Sequence, residues 1–277
     1  MLAWLRARRR RRILAQPFPP EWDRYIDDNV AIARRLDAAD RAKLRELVQV
    51  FVAEKHWEGC GGLALTEEHQ VTIAAQACLL ILGRDDERLY NDVASILVYP
   101  SIVITRPRPL GLFEQPRAPI AHGHTIKGEA MLGGPVVLAW DEVLAGGREE
   151  LVAGGNVVFH EFAHKLDMAS GRVNGTPPLS SRAELRRWAE VCGEAYRLHG
   201  ARVDAGVPTL MDAYGAKNEA EFFAVATETY FTRPYALAYE YPALYALLAD
   251  FYQLRFRVRA LPPLERDDAQ VVCASIT

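Results

Sequence analysis

The sequence predicts a mixed α+β fold in which helices surround a small sheet. Apolar residues recur at helical spacing in the first half of the chain, over about residues 37–55 and 65–83. Two short runs rich in β-branched residues are typical of strands, ASILVYPSIVIT at 94–105 and GPVVLAWDEV at 134–143. The rest of the second half is mostly helical by its apolar pattern, with helices expected at about 149–169, 181–199, 219–231 and 243–259.

Composition and net charge exclude several classes of protein. The chain has 277 residues, half of them hydrophobic, so it can bury a large core. Its net charge of -3 provides no overall field that would recruit nucleic acid, and direct nucleic acid binding is not expected. We find no secretion signal and no apolar run of about 18 residues that would span a membrane, and the four cysteines are scattered. These features predict a cytoplasmic protein with reduced thiols.

A basic run near the N-terminus is the one strong charge feature. It consists of Arg6 and the five arginines at 8–12. Such a block could contact anionic lipid, RNA or an acidic partner, and the alternative is a solvated, partly helical extension. We therefore treat residues 1–16 as a basic N-terminal extension that precedes the folded domain.

The segment VVFHEFAHKLD at 157–167 places two histidines four residues apart. On a helix this spacing brings both imidazoles to one side, so His160 and His164 can bind a single metal ion. Glu161 then lies at the flank of the pair, where its carboxylate can act as a general base on water at the metal. Zinc accepts imidazole nitrogen and carboxylate oxygen, and the pattern predicts zinc-dependent peptide hydrolysis. The alternative is two core or surface histidines beside a solvated glutamate.

A catalytic zinc ion needs a third protein ligand from elsewhere in the chain. The candidates are Asp167, His199, Glu219, Glu221 and Glu228. Asp167 follows His164 on the same helix and is better placed to accept a hydrogen bond beside the ligands. Glu221 and Glu228 share one helix face, but Glu221 could instead complete a capping box with Asn218, and Glu228 could be a supporting acid. Spacing alone does not separate these alternatives.

Four segments in order, LVYPSIVI, GEAMLGGPVVLAWDEV, HEFAHKLD and MDAYGAKNEAEFFAVATETYF, resemble the Mlc titration factor A family of zinc metallopeptidases. The likeness runs over about residues 17–252. It implies a zincin-like metallopeptidase fold with a catalytic core similar to that of the anthrax lethal factor protease. We expect one peptidase domain at 17–260, with a helical N-terminal part (about 17–95), a catalytic part (about 96–260) and a C-terminal tail at 261–277.

The resemblance also implies a role for each motif residue. In that family the two motif histidines and a later glutamate bind zinc, which assigns His160, His164 and Glu221. The glutamate of the motif is the base, here Glu161, and a tyrosine seven residues before the third ligand donates a hydrogen bond to the oxyanion, here Tyr214. A packing or surface tyrosine is the alternative for that position. Asp167 and Glu228 are expected to hydrogen-bond to the ligand side chains without binding the metal themselves.

The expected function is that of a cytoplasmic zinc peptidase, and the resemblance implies aminopeptidase-like activity. For some members it also implies regulatory binding to a transcriptional repressor of sugar uptake. A peptide substrate could pair with an exposed strand, and we expect PVVLAW at 135–140 to be such an edge strand. The alternative function is a binding protein without catalysis that sequesters the repressor.

Overall fold

The structure is a computed structural model that describes residues 2–84, 90–101, 103–104, 125–126, 128–130, 134–148 and 155–254. The predicted tail at 261–277 lies outside these residues. The α-helices are α1 Leu2–Leu14, α2 Pro20–Asn29, α3 Ala38–Glu54, α4 Glu67–Leu79, α5 Trp140–Arg148, α6 Val157–Met168, α7 Arg182–Asp204, α8 Glu219–Thr232, α9 Pro234–Glu240 and α10 Pro242–Tyr252. Short 3-10 helices lie at Ala31–Arg35 and Ala213–Ala216. The strands are β1 His56–Gly59, β2 Ser95–Tyr99, β3 Val103–Ile104, β4 Thr125–Ile126, β5 Gly128–Ala130 and β6 Val136–Ala139.

The main sheet has the strand order β1-β2-β6-β5. Strands β1, β2 and β6 are parallel, and β5 runs antiparallel to β6 with Glu129 opposite Val137. The prediction that 135–140 forms an edge strand is therefore wrong, because β6 is hydrogen-bonded on both sides and β5 is the last of the described strands on that side. The run also stops being a strand at Trp140, where α5 begins.

The metal-binding motif lies on α6, which is shorter than predicted. Its expected start near residue 149 is wrong, because the Asn156 side chain accepts a hydrogen bond from the Phe159 backbone and caps the helix directly before Val157. The preceding helix α5 instead continues through Gly146 and Gly147. Glycine is required there because a Cβ at Gly147 would lie 2.4 Å from the Asn29 backbone oxygen.

The last predicted helix also ends early. Helix α10 stops at Tyr252 because Gln253 adopts a left-handed conformation with φ 52. The predicted helices at 37–55, 65–83, 181–199 and 219–231 are confirmed as α3, α4, α7 and α8, with shifted ends. Among the described residues, none of the helices combines the length and the apolar composition that a membrane span needs.

One hydrophobic core joins the N-terminal helices to the motif helix. The Phe162 ring of α6 lies 5.7 Å from the ring of Phe51 on α3 and 4.9 Å from the ring of Tyr90. On its other side α6 packs against α8, with Phe159 and Phe231 at 5.0 Å between ring centroids. The motif helix is thus held on several sides, which fixes the direction of its polar side chains.

Candidate metal centre

His160 and His164 lie one turn apart on α6 with their rings nearly perpendicular, 4.8 Å between centroids. Both side chains are mostly buried, at 16% and 12% exposed. Their Nε2 atoms point at each other across 3.2 Å. The helical spacing predicted from the sequence therefore places two imidazole nitrogens at one point.

Glu221 brings a carboxylate from α8 to the same point. Its Oε2 lies 3.1 Å from Nε2 of His160 and 3.2 Å from Nε2 of His164. The Asn218 side chain does cap α8 by accepting from the Glu221 backbone, but the Glu221 carboxylate is directed to the histidines. The capping alternative thus accounts for the backbone of this residue and leaves its carboxylate available for the site.

The three atoms form a nearly equilateral triangle, which allows a test of the metal that would fit. Zinc bonds to nitrogen and oxygen of about 2.0–2.1 Å place two corners of a tetrahedron about 3.3 Å apart. The observed edges of 3.1, 3.2 and 3.2 Å agree with that spacing. Two imidazoles and one carboxylate are also a donor set of catalytic zinc sites. His160, His164 and Glu221 therefore fit a tetrahedral divalent metal ion.

Glu228 supports His160 from the side away from this triangle. Its Oε1 lies 2.7 Å from Nδ1 of His160, and its Oε2 accepts a hydrogen bond from the Asn156 backbone at 2.6 Å. Because a carboxylate only accepts, His160 donates from Nδ1 and turns the lone pair of Nε2 towards the site. Gly155 makes room for this contact, since a Cβ there would lie 2.0 Å from Oε2 of Glu228.

The charges around His160 favour a cation at this point. Burial alone would lower the pKa of His160, yet hydrogen bonds to Glu221 and Glu228 raise it well above the usual value. Burial likewise opposes ionisation of Glu221, but its hydrogen bonds to both histidines hold the pKa of its carboxyl well below the usual range. The two carboxylates therefore stabilise positive charge between them, either a proton or a metal ion.

Asp167 occupies a different position from the one expected. Its carboxylate accepts hydrogen bonds from the backbone of Gly175 and Thr176, both at 2.8 Å, and so ties down the segment that follows α6. Nδ1 of His164 is buried without a hydrogen-bond partner among the described residues. Asp167 thus fixes the backbone at Gly175 and Thr176 and does not form a hydrogen bond with the His164 ring.

Glu161 is buried, at 5% exposed, between the two histidines in sequence. Burial raises the pKa of its carboxyl to about 7, although His160 and His164 act in the opposite direction. A carboxyl group with that pKa can both take up and release a proton near neutral pH. This is the property that a general base at the site needs.

Comparison with known proteins gives the family. The profile of the family described as Glucose-regulated metallo-peptidase M90 matches residues 4–253. The chain belongs to this family. An uncharacterized protein of Synechocystis sp. is 34% identical to it over 248 residues, covering 89% of this chain and 88% of the relative. Mlc titration factor A of Klebsiella pneumoniae is 31% identical over 237 residues, covering 81% and 83%, and that of Yersinia pestis 30% over 233 residues, covering 81% and 82%.

The predicted resemblance to Mlc titration factor A is therefore confirmed, as is the mixed α+β, zincin-like fold class. In this member of the M90 family Tyr214 lies on the 3-10 helix at Ala213–Ala216, and its ring centroid is 6.1 Å from that of His160. The side chain is 46% exposed, so its hydroxyl can be reached by a molecule from solvent. Tyr214 is thus an exposed tyrosine and also a neighbour of the site.

Sequence reasoning missed three residues of the M90 centre. Lys217 donates to the Tyr214 hydroxyl at 2.9 Å and lies 3.8 Å from Oε1 of Glu221, and its short separation from both residues in the sequence is the signal that could have found it. Asn156 combines the cap of α6 with the contact to Glu228. Gln76 of α4 accepts from the Asn156 side chain at 2.7 Å, a long-range contact without a sequence signal.

Proposed function

We propose that this protein is a zinc-dependent peptidase in which His160, His164 and Glu221 hold the ion. The observation that supports this most directly is the triangle of two imidazole nitrogens and one carboxylate oxygen with edges of 3.1–3.2 Å. Membership in a metallopeptidase family agrees with it. Glu161 beside the triangle favours a catalytic site over a structural one, because a structural site needs no base and closes with a fourth protein ligand.

Different residues of the chain carry out the separate tasks of hydrolysis. A zinc ion held by His160, His164 and Glu221 would supply a Lewis acid at this point and would lower the pKa of water. Glu161, which is buried next to His160 in the motif, takes a proton from the attacking water and passes it to the leaving amine. Glu228 and Asn156 keep the His160 ring in one orientation throughout.

Tyr214 stabilises the oxyanion that develops on the substrate. The Lys217 ammonium group has only donors, so in its contact with Tyr214 the phenol oxygen accepts and its own proton stays available. The hydrogen bond to Tyr214 raises the pKa of Lys217, which keeps this side chain charged. A phenol that donates to charge present only in the transition state accelerates the chemical step.

An extended peptide substrate pairs with the edge strand β5. This strand contacts α6 and lies at the end of the described sheet, antiparallel to β6. Backbone pairing at such an edge recognises main chain more than side chains. We include aminopeptidase-like activity on small peptides in the proposal, on the strength of the family resemblance.

Hydrolysis of a peptide library, with and without a chelator, tests the proposal. We expect cleavage by the purified protein, loss of cleavage with the chelator and recovery when zinc is added back. Parallel peptides with free and blocked N-termini separate aminopeptidase-like from internal cleavage. Cleavage that continues undiminished in a metal-free preparation would contradict zinc dependence.

The names of the relatives favour a second candidate function. Proteins called Mlc titration factor A are 30–31% identical to this chain over 81% of its length. The alternative is that this chain binds and sequesters a transcriptional repressor without cleaving peptides. We include a cytoplasmic location in the proposal, because such a repressor acts there. Capture of a repressor by Glu161→Gln as well as by the parent protein, with no peptide cleavage by the parent, would favour the alternative.

A further inference from the structure

Helix α1 is fixed to the domain by its inner face. Arg10 forms a two-point contact with Glu54 of α3, at 3.1 and 3.0 Å, and Arg9 donates to the Ala53 backbone oxygen at 3.0 Å. From α3, Gln49 donates to the backbone oxygens of Ile13 and residue 16, both at 3.0 Å. The basic run is therefore a helix docked on α3, and most of its side chains face solvent.

The outer face of α1 combines positive charge with exposed apolar side chains. At about 100° per residue, Trp4, Arg8, Arg11 and Arg12 fall within roughly 100° of the helix circumference. All four are exposed, and the Arg8 guanidinium lies 5.5 Å from the centre of the Trp4 ring. Leu5 borders this face and is 49% exposed, while Trp4 is 56% exposed. We call the five residues the α1 outer face.

We propose that the α1 outer face docks the protein on an anionic lipid bilayer. Arginines near such a surface are attracted by the negative headgroups, and tryptophan and leucine beside them insert shallowly at the interface. The charge complementarity is local, because six of the 33 basic residues lie in α1 while the whole chain is acidic. The rest of the surface therefore does not compete for the bilayer, and α1 would set the orientation of docking.

The same face fits a lipid surface better than a nucleic acid. Its charges lie along one helix of about 20 Å, and no second basic element is packed beside it among the described contacts of α1, which are with α3. Nucleic acid sites commonly line a groove with basic side chains from several elements. A flat bilayer requires only one outward helix face with an aromatic anchor.

Sedimentation of the full chain with lipid vesicles tests this proposal. The probes are vesicles of phosphatidylcholine alone and vesicles that also contain phosphatidylserine. We expect binding to the second kind only, and on the order of a hundredfold weaker partitioning for the triple variant Arg8→Gln, Arg11→Gln, Arg12→Gln, at about fivefold for each arginine. Trp4→Ala, which leaves the charge unchanged, should weaken binding several-fold.

The matched control removes three exposed arginines from α7, as Arg182→Gln, Arg186→Gln and Arg197→Gln, with the same change in net charge. This variant should bind like the parent. Arg9 and Arg10 are kept in every variant so that α1 stays docked, which unchanged thermal unfolding verifies. No binding to phosphatidylserine vesicles, equal losses in the two triple variants, or tighter binding to single-stranded RNA than to vesicles at the same salt would each overturn the proposal.

Discussion

Nδ1 of His160 donates a hydrogen bond to Glu228 across 2.7 Å, and the other oxygen of Glu228 is held by the Asn156 backbone at 2.6 Å. Asn156 is in turn bound to Gln76 on α4. The orientation of one proposed metal ligand therefore depends on a buried chain of contacts that reaches the N-terminal helices.

Glu228→Gln should weaken zinc binding about 10–100-fold, because an amide cannot accept at both positions and His160 loses its fixed tautomer. Competition with a zinc-binding dye measures the affinity. Glu219→Gln, an exposed position on the same helix, is the matched control and should bind zinc like the parent. Equal affinity in both variants would show that Glu228 does not support the site.

Gly155→Ala should lower both stability and zinc affinity, because the added methyl group would lie 2.0 Å from the Glu228 carboxylate and must displace it. Thermal unfolding and zinc titration report the two effects. The control is Gly193→Ala on α7, where no atom lies within 4 Å of the added carbon. That change should stabilise the protein by up to about 1 kcal/mol, since alanine is the better helix former.

Tyr214→Phe should lower kcat on the order of a hundredfold with little change in KM, because its hydrogen bond forms only in the transition state. Lys217→Met should lower kcat about tenfold, since a partly exposed charged hydrogen bond orients the phenol. Lys217→Arg should recover part of the loss. In the Tyr214→Phe background, Lys217→Met should have no further effect on kcat. Additive losses in the double variant would show that Lys217 does not act through the Tyr214 hydroxyl.

Asp167→Asn should destabilise the fold by about 1–3 kcal/mol, because an amide keeps a single acceptor oxygen and the backbone N–H of Gly175 or Thr176 loses its acceptor. Zinc affinity should fall less than in Glu228→Gln, since the Asp167 carboxylate does not bond to His164. Denaturant unfolding and the zinc titration separate the two quantities. If the loss in zinc-binding free energy exceeds the loss in unfolding free energy, Asp167 supports the metal ligands, as first expected.

The sequence predicted the helices with sustained apolar periodicity and the pair His160 and His164, because both depend on local spacing. Glu221 was one of five candidates by spacing, and only the family resemblance selected it. The start of α6 was missed because the capping contact of Asn156 interrupts an otherwise apolar pattern. The edge strand was misplaced because the pairing of β5 with β6 depends on how the chain folds back.

The residues that hold the proposed metal ligands in place were the part of the site that the sequence did not predict. Asp167 follows His164 at a helical spacing that suggests contact, but the turn at Gly175 and Thr176 competes for its carboxylate. Gln76 is 80 residues from Asn156 in the chain, and only tertiary packing brings the two together. Lys217 does carry a local signal, since it lies three residues after Tyr214 and four before Glu221.

Parallel measurement of zinc content and peptide cleavage in the parent protein, Glu161→Gln and His164→Ala tests the central claim most directly. We predict that Glu161→Gln keeps zinc at the parental stoichiometry while cleavage falls on the order of a thousandfold, and that His164→Ala loses both. Cleavage by Glu161→Gln at the parental rate, or full zinc content in His164→Ala, would contradict the account.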